Sequence, residues 1–162
     1  MFEHLMATRR LPATESNLAK TQEIEKSMLA SGTLSIIVLG ASGDLAKKKT
    51  FPAIATLGKN GLLPPRTNVL GYARSDLSKA HVEEHLGLTA DDLDCLETVQ
   101  YVRGPYDDLS SLVKPLQEIA DETSGPANRL FYFALPPSLY AEVAQQVHDL
   151  LRSDTGFNRF VV

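Results

Sequence analysis

A single cysteine, Cys95, is all the thiol the sequence contains. That excludes an internal disulfide and fits a reducing compartment. Its setting, Asp91-Asp92-Leu93-Asp94-Cys95, disfavours a thiolate and so argues for an inert residue rather than a nucleophile. Basic residues are not in excess either: 16 Lys and Arg stand against 20 Asp and Glu, a formal net charge of -4. No nucleic-acid partner is expected of such a balance. No apolar run approaches the roughly 20 residues of a membrane helix, so no membrane partner is expected. Arg9 and Arg10 are followed by no apolar stretch, which argues against a secretory leader, and Glu3 and Glu15 argue against a transit peptide. A cytoplasmic protein is expected, with organelle import left open. What is present is 162 residues with 43% hydrophobic content, enough for one globular domain with a real core.

The chain divides near residue 33. Residues 1–33 are mixed polar with a faint helical period from Leu18 to Leu29, and read as a flexible extension. From residue 34 to 162 the pattern turns regular. Leu34 to Leu39 is a short apolar run rich in β-branched residues, the pattern of a strand buried on both faces. A helix is expected from about Leu45 to Lys59, with Pro52 as a kink. Thr67 to Tyr72 reads as a strand, and Ser78 to Leu86 as a helix stopped by Gly87. Val99 to Val102 is a third strand. Asp107 or Asp108 then opens a helix with Leu109, Leu112, Val113, Leu116, Ile119 and Ala120 on its apolar face, and Pro115 interrupts it. Arg129 to Leu135 is a fourth strand, Ser138 opens a helix carrying Leu139, Val143, Val147, Leu150 and Leu151, and Phe157 to Val162 begins a fifth strand. Strands alternating with helices imply right-handed crossovers. The fold class expected is α/β, a doubly wound parallel sheet of Rossmann type. Its last strand runs out at Phe160-Val161-Val162, which reads as a piece of a longer protein whose C-terminal domain is absent.

The first strand meets the first helix at Gly40-Ala41-Ser42-Gly43-Asp44-Leu45-Ala46. In a doubly wound sheet this turn is where phosphates bind: glycine allows a sharp turn and close approach, and the helix start offers unpaired N–H groups. The spacing is G-x-x-G-x-x-A, so a plain strand–helix turn stays open at this point. A P-loop fails because Lys48 stands where glycine is needed before Lys49-Thr50. The Tyr-x-x-x-Lys pair of short-chain dehydrogenases fails at each of the five tyrosines. The second strand ends in Gly71-Tyr72-Ala73-Arg74-Ser75-Asp76. An acidic residue there would select NAD, whereas Arg74 suits the 2′-phosphate of NADP and Ser75 adds a donor. At roughly 1.5–3 kcal/mol per charge-assisted bond, NADP would be favoured by about ten- to a hundredfold.

With "GASGDLAKKK", "GYARS", "YDD" at Tyr106 to Asp108, "NRLFYFALPPSLY" from Asn128 and "GFNRFVV" at the end, residues 34–162 resemble the N-terminal coenzyme domain of the glucose-6-phosphate dehydrogenase family. The resemblance implies that Gly40, Ala41, Ser42, Gly43, Asp44, Leu45, Ala46 and Lys47 form the dinucleotide loop and that Arg74 holds the 2′-phosphate. It places Ala134, Leu135 and Pro136 beneath the coenzyme, Tyr140 against it, and Lys49 near the sugar phosphate. It also implies NADP as cofactor, glucose 6-phosphate as substrate of the parent, and a homo-oligomeric parent. The family's catalytic His and Asp have no counterpart here, and His4, His81, His85 and His148 read as surface residues. This chain is therefore expected to lack turnover by itself. A non-catalytic dinucleotide sensor is the alternative reading.

Overall fold

The computed structural model describes residues 27, 32–77, 84 and 86–162. The expected extension lies outside the described residues apart from Ser27, Gly32 and Thr33. So does most of the helix expected from Ser78 to Leu86, of which Glu84 and Leu86 are described and helical. Five strands pair in parallel: β1 (Thr33–Leu39), β2 (Thr67–Ala73), β3 (Thr98–Arg103), β4 (Ala127–Phe133) and β5 (Asn158–Val161). Their order across the sheet is β3-β2-β1-β4-β5. Among the described residues the principal helices are α1 (Phe51–Lys59), α2 (Ala90–Leu93), α3 (Val113–Asp121) and α4 (Tyr140–Leu150).

Every residue of β1 and β2 is buried, because both strands are central and covered on both faces. Alternate side chains feed two cores. Ile37, Leu39, Leu70, Tyr72, Phe131 and Phe133 point to the face packed by α3 and α4. Leu34, Ile36, Val38 and Val69 point to the other face, against Phe51, Ile54 and Ala55 of α1 and Leu86. The chain moves from β1 outward to β3, then jumps back across β1 to β4. Right-handed crossovers put the helices of these two excursions on opposite faces. The α1 face of β4 and β5 consequently lacks a crossover helix among the described residues. An open apolar groove of about 420 Å³ lies there, lined among others by Leu57, Leu63, Leu130, Tyr132 and Val161.

Several boundaries differ from the sequence reading. β4 runs two residues earlier than Arg129 to Leu135, because Ala127 and the buried, polar Asn128 belong to the strand. Asn128 donates to the Thr33 carbonyl (3.1 Å) and accepts the Phe157 N–H (3.2 Å). Arg129 donates to the Leu151 carbonyl at the end of α4, and burial lowers its pKa. Pro52 produces no simple kink. A wide π turn, Ala46–Thr50, precedes α1, and the Phe51 N–H reaches back to the Ala46 carbonyl. Pro52 then occupies the first turn of α1, where its missing N–H costs nothing. Pro115 is accommodated likewise: a 3₁₀ turn, Ser110–Leu112, comes first, so Pro115 falls in the first turn of α3. Asp108 caps this entry by accepting the Ser110 N–H at 2.9 Å.

The acidic run before Cys95 forms α2, which the sequence reading did not place. Asp92 accepts the Thr89 N–H (2.7 Å) and hydroxyl (2.6 Å) and pairs with Lys59 at the end of α1 (2.7 Å). The Lys59 and Thr89 hydrogen bonds hold its carboxyl at about 2. A depressed folded-state pKa stabilises above the unfolded carboxylate value near 4, and that stability is lost as pH falls through about 2. Asp92→Asn is expected to cost about 1 kcal/mol near neutrality, the solvent-screened worth of this pair. In urea unfolding the difference from wild type shrinks between about pH 4 and pH 2; a pH-independent difference would contradict the assignment.

Candidate dinucleotide-binding site

β1 delivers the chain to its C-terminal end at Gly40, whose φ is +94°. A Cβ there would lie 2.2 Å from the Ala134 carbonyl oxygen, so only glycine lets the β4 loop approach this closely. The N–H groups of Gly40 and Ala41 both donate to the Tyr72 carbonyl, at 2.8 and 3.0 Å. Gly43 donates to the Gly40 carbonyl (3.0 Å) and Lys47 to the Gly43 carbonyl (3.1 Å), closing the loop into a helix start. Ala41 and Ala46 are buried and pin the loop to the core, while Ser42, Gly43, Asp44, Leu45 and Lys47 are exposed. Helical winding begins at Asp44, and its first amides have no intrahelical acceptor. Asp44 pairs with Lys48 at 2.8 Å, and that hydrogen bond lowers its pKa. Its negative charge is thereby balanced next to the helix start.

β2 and β3 bring a second group of side chains beside this loop. The Ser75 hydroxyl donates to Ser42 at 3.1 Å, tying the β2 end to the glycine turn. The Arg74 guanidinium lies over the Tyr106 ring, 5.3 Å from its centroid. Burial raises the Tyr106 phenol above its usual range, with Arg74 pulling the other way. Tyr101 donates to the Ser75 carbonyl at 2.7 Å, and burial pushes its phenol up to about 12. Tyr72 donates to the carbonyls of Pro105 (2.7 Å) and Asp108 (2.9 Å). Arg103 pairs with Asp76 at 2.9 Å. Tyr101, Arg103 and Tyr106 were not singled out as site residues from the sequence. The Gly104-Pro105 turn after β3, with an aromatic residue next, was the available signal for Tyr106.

From β4, the Ala134 N–H donates to the Leu39 carbonyl at 2.8 Å, so Ala134 sits directly beside Gly40. Leu135 is buried and Pro136 exposed at the start of the following 3₁₀ turn, Pro137–Leu139. Tyr140 is half-buried and meets Phe133 edge-on, 5.5 Å between centroids. Lys49 stands apart from these residues, lining the apolar groove beside Thr50, whose buried hydroxyl has no protein partner. His148 is exposed and pairs with Asp149.

The first loop, the β2 end and the β4 end thus converge where β1 is flanked by β2 and β4, from which the chain departs in opposite directions. Ligands of open α/β sheets bind at such a switch point. Exposed helix-start amides, a close-approach glycine and a nearby guanidinium fit an extended diphosphate with a further anionic group.

The family model described as "Glucose-6-phosphate dehydrogenase, NAD binding domain" matches residues 37–162. "Glucose-6-phosphate 1-dehydrogenase 6, cytoplasmic" of Arabidopsis thaliana is 40% identical over 152 residues, which is 82% of this chain and 30% of that protein. "Glucose-6-phosphate 1-dehydrogenase 2" of Mus musculus is 39% identical over 140 residues, 78% of this chain and 26% of that protein. A solved structure, "Glucose-6-phosphate dehydrogenase in complex with its substrate glucose-6-phosphate", superposes with a TM-score of 0.70 at 34% identity, covering 82% of this chain and 30% of that one. This chain therefore spans under a third of the length of these relatives. On this match the chain belongs to the glucose-6-phosphate dehydrogenase family, to its dinucleotide-binding domain.

Proposed function

We propose that this chain is the coenzyme-binding part of an NADP-dependent glucose-6-phosphate dehydrogenase. The parent oxidises C1 of glucose 6-phosphate to 6-phosphoglucono-lactone, and the nicotinamide, when bound, accepts the hydride. Gly40 to Lys47 hold the pyrophosphate through helix-start amides. Ala134, Leu135 and Pro136 form the floor beside Gly40, and Tyr140 borders it. Lys49 serves the sugar phosphate from the groove rim. The chain carries no catalytic residue for the reaction in this reading, so turnover belongs to the parent, a homo-oligomer. The relatives named above are dehydrogenases, which disfavours a non-catalytic sensor. One of them is named as cytoplasmic, which supports the same compartment here.

The observation that carries NADP over NAD is Arg74 at the end of β2, beside the glycine turn through the Ser75–Ser42 bond. Its carboxylate neighbour Asp76 is already engaged by Arg103. Calorimetric titration of wild type and Arg74→Ala with NADP and NAD tests the reading. Arg74→Ala is expected to weaken NADP by about ten- to a hundredfold, the worth of one charge-assisted contact, and to leave NAD within about twofold. Equal NADP affinity in the two proteins would remove Arg74 from this role.

A further inference from the structure

We propose that Arg103 is a specificity-determining positioning residue that keeps Asp76 from opposing a 2′-phosphorylated dinucleotide at the Arg74 site. The inference rests on the reading of Arg74 given above. Arg103 is the last residue of β3 and lies opposite Ala73 in the parallel register. Its side chain therefore emerges beside the segment that carries Arg74. There it makes two contacts: Nε donates to the Arg74 carbonyl (3.3 Å), and Nη1 pairs with the Asp76 carboxylate (2.9 Å). The Gly104 N–H donates to the Ala73 carbonyl (3.1 Å) and the Tyr101 hydroxyl to the Ser75 carbonyl. β3 and the residue that follows it thus engage three successive carbonyls, Ala73 to Ser75, at the end of β2, and Arg103 alone among these donors also carries charge.

The charge has a definite use. Asp76 stands two residues past Arg74, in the stretch where dinucleotide sites that accept an unphosphorylated ribose place an acidic residue. A bare carboxylate there repels a phosphomonoester and accepts a hydrogen bond from a ribose 2′-hydroxyl. With Arg103 on Oδ2 its charge is offset and one oxygen is occupied, so both effects weaken and the local field is more positive for the phosphate. Both partners are largely exposed, 61% and 75% of their side chains, so the pair contributes little to folding. Its effect is on ligand choice.

The test is titration of the full 162-residue chain with NADP and NAD, thermal melting monitoring the fold. Arg103→Met is expected to lower the NADP-to-NAD affinity ratio by roughly three- to tenfold, the range of a solvent-screened charge pair. NADP weakens and NAD holds or tightens. Arg103→Lys keeps most of the ratio. Adding Asp76→Asn to Arg103→Met restores the ratio to within about twofold of wild type. Three results overturn the inference: an unchanged ratio in Arg103→Met, equal weakening of both dinucleotides, or no recovery in the double variant. Failure of wild type to bind either dinucleotide instead brings down the coenzyme-site reading, and this inference with it.

Discussion

Gly40→Ala is expected to destabilise the fold by about 4 kcal/mol or more and to reduce dinucleotide affinity at least about a hundredfold. Two costs combine. The backbone is held at φ +94°, where a side chain brings strain of about 1–3 kcal/mol. The added Cβ also lands 2.2 Å from the Ala134 carbonyl oxygen and 2.8 Å from its carbon. Neither side yields cheaply. Gly40 and Ala41 are bonded to the Tyr72 carbonyl, and Ala134 is bonded to Leu39. Relief requires β1 and β4 to separate at the binding end. Gly61 provides the comparison: φ is +65°, but no heavy atom lies within 4 Å of a Cβ placed there. Gly61→Ala therefore costs only the backbone strain, about 1 kcal/mol. Urea unfolding of both variants separates the contributions. Equal stability of the two would show that the approach of Ala134 does not constrain Gly40.

Asn128→Leu is expected to cost about 3 kcal/mol while leaving the dinucleotide affinity of the folded protein near wild type. Asn128 is fully buried. Its amide bridges three segments, giving an N–H to the Thr33 carbonyl and taking one from Phe157. Leucine fills similar space but leaves the buried Thr33 carbonyl and the part-buried Phe157 N–H without this partner, at roughly 1–3 kcal/mol each. Asn128 lies near the start of β4, at the opposite end of the strands from Gly40 and Ala134, so stability and binding part company. Unchanged stability in denaturant would mean that the Phe157 N–H has another acceptor.

These two residues also show what the sequence discloses and what it withholds. Gly40 was legible because strand, glycine and helix start are contiguous, and local chemistry decides their conformation. The central strands were legible because two-sided burial writes an unbroken apolar run, as in Ile36-Ile37-Val38-Leu39. β4 was placed two residues late because the polar Asn128 breaks the apolar pattern at its start. Asn128 and Arg129 are buried only by virtue of partners at Thr33, Phe157 and Leu151, far away in the chain. The π turn before Pro52 is a detail of backbone pairing, closed by the Phe51 N–H on the Ala46 carbonyl, which apolar periodicity does not encode. α2 is four residues long, too short for a period, and its Thr89–Asp92 capping pair was the signal that went unread. At the candidate site, Arg74 announced itself by position after β2. Arg103 reaches it only through the β2–β3 register, so no spacing along the chain predicts it, whereas the turn after β3 was the only local pointer to Tyr106.

Tyr72 has a further consequence. Its carbonyl receives both N–H groups of the glycine turn, and its hydroxyl holds the carbonyls of Pro105 and Asp108. One buried residue in mid-sheet thus fastens the first loop and the third loop to the same rigid strand. Much of the conformational freedom these loops would surrender to a ligand has already been given up in folding. Binding at such a preformed cradle carries a small ordering penalty, and more of the contact energy remains as affinity. The two anchors differ in kind: the first loop hangs on the backbone carbonyl of Tyr72, the third on its hydroxyl.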